Sequence, residues 1–160
     1  MSDTEKPSSA TGEKKSPDIP TILSVLAGMT EEQKKQRLAQ WAEIRYFTPD
    51  EFDSSEVPGS GILMNIEFVK VLDKMRALCG FPFWLNSGVR TDKENKEVGG
   101  VDSSEHEEGN GVDIRADTGA KKFAIVGACY AFGIKRWGIG DRFVHVGFSY
   151  KKPQNVAWTY

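Results

Sequence analysis

The chain has only two histidines in 160 residues, His106 and His145. His106 lies in "SSEHEEGNGVDI", ahead of Asp113, with Gly109 and Gly111 between them. His145 lies in "RFVHVGFSY", a run that alternates apolar and polar residues. Imidazole and carboxylate are metal ligands and proton-transfer groups, so these three residues are the ones that could do chemistry.

Strand parity decides whether they can meet. In "GVDIRA", Val112 and Ile114 face a core, which turns Asp113 to the opposite side. In "FVHVGF", Val144 and Val146 go inward and His145 goes outward. If the two strands pair, Asp113 and His145 project from one open face of one sheet. Gly109 and Gly111 permit the turn that returns His106 over that face. Two neutral nitrogens and one carboxylate oxygen suit Zn²⁺, with a fourth position for water, the arrangement of a catalytic site. Water so held has its pKa lowered to about 7. The same residues also read as an exposed loop histidine, a hydrogen-bonded strand histidine and a solvated aspartate. Spacing alone does not choose between these readings.

The elements that would position these groups follow from periodicity. "NIEFVKVLDKMRALCG" repeats Phe68, Leu72, Met75 and Cys79 at helical spacing, with Val71 and Leu78 widening the stripe and Gly80 as its C-cap. "FPFWLNSGVRT" reads as a strand running into a loop. The next stretch, "DKENKEVGGVDSSEHEEGNG", is a loop of about 20 residues, long enough to be functional. "VDIRA" is a short strand, "TGAKKFAIVGACYAFG" a helix with Phe123, Val126 and Tyr130 on its apolar side, and "RFVHVGFSY" a final strand. The order predicts an α+β domain with a small, largely antiparallel sheet flanked by helices. Residues 1–20 are rich in Ser, Pro, Lys and Glu and read as a disordered tail. Residues 21–45 form an N-terminal helical appendix, with Thr30 and Gln33 as a capping box and Leu38, Trp41 and Ile44 at helical spacing. Residues 46–160 form the compact domain, entered through Thr48-Pro49-Asp50-Glu51 as a helix start or turn.

Bulk properties narrow the classes. A net charge of −2 gives no basic stripe, so nucleic acid is not an expected partner. No apolar run approaches the roughly 18 residues of a membrane span. The N-terminus lacks the charged-then-apolar pattern of a secretory signal, so synthesis in the cytoplasm is expected. Cys79 and Cys129 fall on apolar helix positions and read as buried free thiols.

"NSGVRTDKENKEVGGVDSSEHEEGNGVDI" followed by "GIGDRFVHVGFS" resembles the M15 zinc peptidases. More narrowly, it is similar to the compact phage and bacterial branch related to D-Ala-D-Ala carboxypeptidases and L-alanyl-D-glutamate endolysins. Shared features are S-G-x-R, a loop ending V-G-G, S-x-H-x-x-G-x-A-x-D and a late F-V-H strand. The resemblance implies a hedgehog/D-Ala-D-Ala peptidase-like fold and zinc held by His106, Asp113 and His145. It implies a monomer that cuts peptidoglycan stem peptides at the cell wall, after release from the cytoplasm or as part of a virion. Arg90 in "SGVR" matches the arginine directed at a substrate carboxylate or polarised carbonyl; pairing with Asp92 or Glu94 is its alternative. Ser104 matches the family serine, as a substrate contact or a loop holder. Asp141 matches the acid upstream of the last histidine and is the candidate catalytic base, with Glu105, Glu107 and Glu108 as rivals. A fully extended run would place Asp141 ~13 Å from His145, unless Gly138 and Gly140 fold the chain back.

Three positions depart from the family pattern: Gly111 for alanine, Val89 for an aromatic pocket wall, and Gly147 where many relatives have aspartate or histidine. Trp137, Trp158 and Tyr160 offer a glycan-stacking surface or, as the commoner use, a cap on the core. A wall-binding or virion-structural module that keeps the fold without catalysis is the second reading.

Overall fold

The computed structural model describes residues 22–160, so the expected disordered tail at 1–20 lies outside the described residues. Helix α1 (Ile22–Gly28) and helix α2 (Glu31–Ala39) come first. The Thr30 hydroxyl accepts from Gln33 N at 3.2 Å, and the Gln33 side chain accepts from Thr30 N at 2.8 Å. This reciprocal pair satisfies two otherwise orphaned donors and starts α2. The helix tightens into a 3₁₀ turn at Gln40–Glu43, which breaks the expected stripe. Leu38 is left exposed, while Trp41 is buried edge-on against Phe52.

Helix α3 (Ile66–Cys79) has Asn65 as its N-cap and Gly80 as its C-cap. Phe68, Leu72 and Met75 are buried as the spacing predicts. The stripe widens toward Val69 instead of Leu78, which is exposed. The helix that follows the second strand, α5 (Gly119–Ala131), shows a larger departure. Ile125, Ala128 and Cys129 are buried, whereas Phe123 and Tyr130 are more than 80% exposed. Apolar residues lie on every side of "FAIVGACYA", so periodicity could not select a face. Contact with α3 and the sheet selects the side whose small residues, Ala128 and Cys129, allow close approach.

Five strands form one mixed sheet in the order β1-β2-β4-β3-β5. They are β1 (Leu85–Ser87), β2 (Gly111–Arg115), β3 (Arg136–Ile139), β4 (Phe143–Gly147) and β5 (Val156–Thr159). The first three pairings are antiparallel and β3–β5 is parallel, so the architecture is the expected α+β with a largely antiparallel sheet. β3 and β5 were not expected. β3 is interrupted by Gly138, and β5 is a short edge segment whose pairing is entirely non-local. Val112, Ile114, Val144 and Val146 are fully buried on one face and share a core with α3 and α5. The 20-residue loop also contains a short helix, α4 (Asp92–Glu97). This stretch was expected to be loop throughout; a second capping box, Thr91 with Glu94, starts the helix.

Candidate metal centre

Asp113 and His145 are direct cross-strand partners in the β2–β4 register. With Val112 and Ile114 held in the core, both side chains project from the opposite face, as parity requires. That face is not open. Asp113 is 6% exposed, His145 4% and His106 2%, because the segment from Ser103 to Asn110 folds over the sheet. Gly109 makes this return at φ +67°, a conformation that disfavours other residues. The segment is pinned at its middle and its C-terminal end: Arg90 N donates to His106 O (3.2 Å), Asn65 N to Gly109 O (3.0 Å) and Phe148 N to Asn110 O (2.8 Å).

The second ring nitrogen of each histidine is already engaged. His106 Nδ1 lies 2.6 Å from Gly88 O, and a carbonyl only accepts, so Nδ1 carries the hydrogen. His145 Nε2 lies 3.2 Å from Glu105 Oε2, so Nε2 donates there. The remaining lone pairs, on His106 Nε2 and His145 Nδ1, point at each other and at Asp113 Oδ1. The three separations are 3.2 Å (His106 to His145), 2.9 Å (His145 to Asp113) and 3.4 Å (His106 to Asp113). Ligand atoms at 2.0–2.1 Å from a tetrahedral zinc are about 3.3 Å apart, so this donor set fits such an ion. Converging acceptors repel unless a cation, proton or metal, lies among them.

The electrostatics follow. Burial alone would raise the Asp113 carboxyl, but hydrogen bonds and charge from the two histidines, which act when a ring gains a proton on the nitrogen facing Asp113, outweigh it and hold it far below its ordinary value. Burial lowers His106, which stays neutral more readily than a free histidine. Burial also opposes charge on His145, yet Asp113 and Glu105 together raise its proton affinity. Arg90 does not pair with Asp92 or Glu94. Its Nε donates to Ser87 Oγ at 2.7 Å and its guanidinium binds Asp113 Oδ2. Asp92 is taken by Lys96, and Glu94 by Ser54, Ser55 and Thr91. Arg90 therefore holds the second oxygen of the candidate ligand and leaves Oδ1 for the centre.

Asp141 is not brought to the site. Gly140 N donates to Phe143 O (2.9 Å), closing a tight turn between β3 and β4. β4 then runs extended to His145, which leaves Asp141 exposed at the turn with its carbonyl bound to Lys122. Of the acids considered, Glu105 alone enters the cleft; Glu107 caps Ser104 N, and Glu108 bonds Ser149 Oγ. Burial would raise the Glu105 carboxyl, but hydrogen bonds from His145 and Ser149 N bring it below its usual value. Ser104 Oγ accepts from His106 N at 3.4 Å, a loop-holding contact, and its side chain borders the cleft. Val89 packs in the core and forms no wall of the cleft.

The three residues sit at the base of a cleft of about 660 Å³. Val98 and Val101 line one part of it, Phe143, Trp158 and Tyr160 another, with Lys152 and Arg136 among the lining cations. The Trp158 ring lies tilted 5.5 Å from His145 with the Arg136 guanidinium over its face, so β5 supplies a cleft wall where a core cap was the commoner expectation. Trp137 alone of the three aromatics packs against the core. Arg136 and Lys152 were missed. Arg136 was recoverable had β3 been recognised, because its partner Gly147 shares the His145 face.

This chain belongs to the M15 peptidase family: the family model for peptidase M15 matches residues 45–147. No curated protein matches it. The protein is thus a peptidase by family, and the buried His106–Asp113–His145 cluster is a site that could hold the metal ion on which M15 peptidases generally depend. Among the described residues, no helix is long and apolar enough to cross a membrane.

Proposed function

We propose that this peptidase is zinc-dependent and hydrolyses an amide bond in peptidoglycan stem peptides, as a carboxypeptidase or an L-alanyl-D-glutamate-type endopeptidase. The observation that carries the metal is the convergence of three lone pairs, two with their tautomers set by Gly88 O and Glu105. Zinc, when bound, supplies a Lewis acid for the scissile carbonyl and a water acidic enough to attack at neutral pH. The Arg90 guanidinium binds Asp113 Oδ2 and orients the carboxylate. Lys152, on the cleft wall, offers a cation to a stem-peptide carboxylate, and Trp158 and Tyr160 offer flat apolar surface in the same cleft. The place of action that goes with this reading is the cell wall or periplasm, reached after release from the cytoplasm or aboard a virion.

The position of Asp141, outside the cleft, favours a second reading: a wall-binding or virion-structural module with the fold but no turnover. Incubation with purified peptidoglycan separates the two. New free amines that disappear with chelator and return with Zn²⁺ support the peptidase. Sedimentation with the wall and no new amines supports the module. Mass spectra of released fragments identify the bond.

A further inference from the structure

Glu105 enters the site from the ligand loop, next to His106 in sequence, yet its contacts are with the other histidine. Oε2 accepts from His145 Nε2 at 3.2 Å. Oε1 accepts from Arg136 Nε at 3.1 Å and from Ser149 N at 3.1 Å. The side chain is 3% exposed and both oxygens are engaged. Nε2 is the edge of the ring turned away from Asp113 and His106, which face Nδ1. Glu105 thus touches the centre only through His145.

The carboxylate occupies a space that exists because residue 147 has no side chain. A Cβ built on Gly147 would overlap both Glu105 oxygens and lie 2.6 Å from Cδ. Gly147 is not at a positive φ, so no turn requires glycine there. Its strand partners are Gly111 and Arg136, so it lies in the ladder, where glycine weakens a strand and often marks close approach of another group. The approaching group is the Glu105 carboxylate.

We infer that Glu105 is the positioning residue of the metal centre, seated on Gly147 and anchored by Arg136 and Ser149 N, and that it sets the tautomer of His145. This rests on the metal centre proposed above. With two acceptor oxygens, glutamate serves Arg136 and Ser149 on one side and His145 Nε2–H on the other. Glutamine has one acceptor. With its oxygen kept on Arg136 and Ser149 N, its amide donates toward His145 Nε2. The ring must then carry its hydrogen on Nδ1, the nitrogen the metal needs.

The test uses the full chain, Zn²⁺ competition against a chromophoric chelator, and the ¹⁵N spectrum of the histidine rings. Wild type is expected to bind zinc with His145 protonated at Nε2. Glu105→Gln is expected to lose about 10–100-fold in zinc affinity with an unchanged far-ultraviolet spectrum, and to move the His145 hydrogen to Nδ1 in the metal-free, neutral ring. Gly147→Ala, which displaces the carboxylate, should lose affinity similarly. Glu105→Ala combined with Gly147→Asp returns a carboxylate to the same space from the strand, and should recover most of what Glu105→Ala loses. If Gly147→Ala does not fold, Glu105→Gln and the rescue by Gly147→Asp carry the test. Wild-type affinity and an unchanged tautomer in Glu105→Gln overturn the inference and leave the proposed function standing. A wild type that binds no zinc overturns both.

Discussion

His106 and His145 share one site but differ in proton preference. Burial lowers the proton affinity of His106, while Asp113 and Glu105 raise that of His145 above its ordinary 6.5. The sign follows for each group. A raised His145 contributes stability fully below 6.5 and loses it as pH rises through the raised value. The depressed Asp113 contributes above its ordinary 3.8 and loses that contribution only at strongly acid pH. Zinc needs the His145 Nδ1 lone pair, so zinc affinity changes in the direction opposite to the His145 contribution: it falls on the acid side. Binding at pH 6.5 should release about one proton per zinc, read by calorimetry in two buffers of different ionisation enthalpy. Absence of proton release would remove His145 from the ligand set. Asp113→Ala should lower zinc affinity and turnover by more than the ~100-fold typical of an outer-shell change. It also strips Arg90 of its carboxylate partner and should cost about 1–3 kcal/mol in urea unfolding. Asp113→Asn keeps the shape and separates the two effects.

Two elements carry expectations that periodicity did not. On α5 the buried side is Ile125, Ala128 and Cys129. Ile125→Ala should therefore cost about 2–5 kcal/mol, and Phe123→Ala should stay within about 0.5 kcal/mol, by denaturant midpoints. The reverse ranking would restore the Phe123 face to the core. The ligand loop is the second case. The protein itself ties this loop down through Asn65, Arg90 and Phe148, and α4 occupies its first part. Zinc should consequently slow amide exchange chiefly over residues 103–110 and leave 92–97 nearly unchanged. Equal slowing throughout 92–110 would mean that the metal, not these bonds, holds the loop.

At the scale of the whole molecule, the core and the centre lie on opposite faces of one sheet. The hydrophobic cluster is built from α3, α5, the inward strand residues and N-terminal residues such as Trp41 and Phe52, and includes none of the three candidate ligands. Chelation should therefore abolish activity while the far-ultraviolet circular dichroism stays native. Added zinc should still raise the melting temperature, because it binds only the folded state. At a concentration of 1,000 times Kd this linkage amounts to about 4 kcal/mol. Global unfolding on chelation would show that the metal is part of the core's stability and that the two faces are not independent.

The period-2 pattern of two strands was enough to place Asp113 and His145 on one face, because burying Val112, Ile114, Val144 and Val146 leaves their neighbours no other side. The capping spacing of Thr30 and Gln33 placed the start of α2 because it is local, and a few neighbouring residues decide it; the same spacing at Thr91 and Glu94 marks α4, in a stretch expected to be loop. The chain's membership of the peptidase family was also legible, in motifs that occur in order. What the sequence could not show depends on contacts between distant segments. The buried face of α5 was settled by what packs against it, since its apolar residues point in all directions. The position of Asp141 was settled by a tight turn and an extended strand, which keep it from the cleft. β5, with Trp158 and Tyr160, becomes a cleft wall only by pairing with β3, and Arg90 finds Asp113 only once β2 lies beside β1. Glu105 reaches His145 because a glycine far along the chain leaves room, and close approach between two segments is a property of the folded molecule alone.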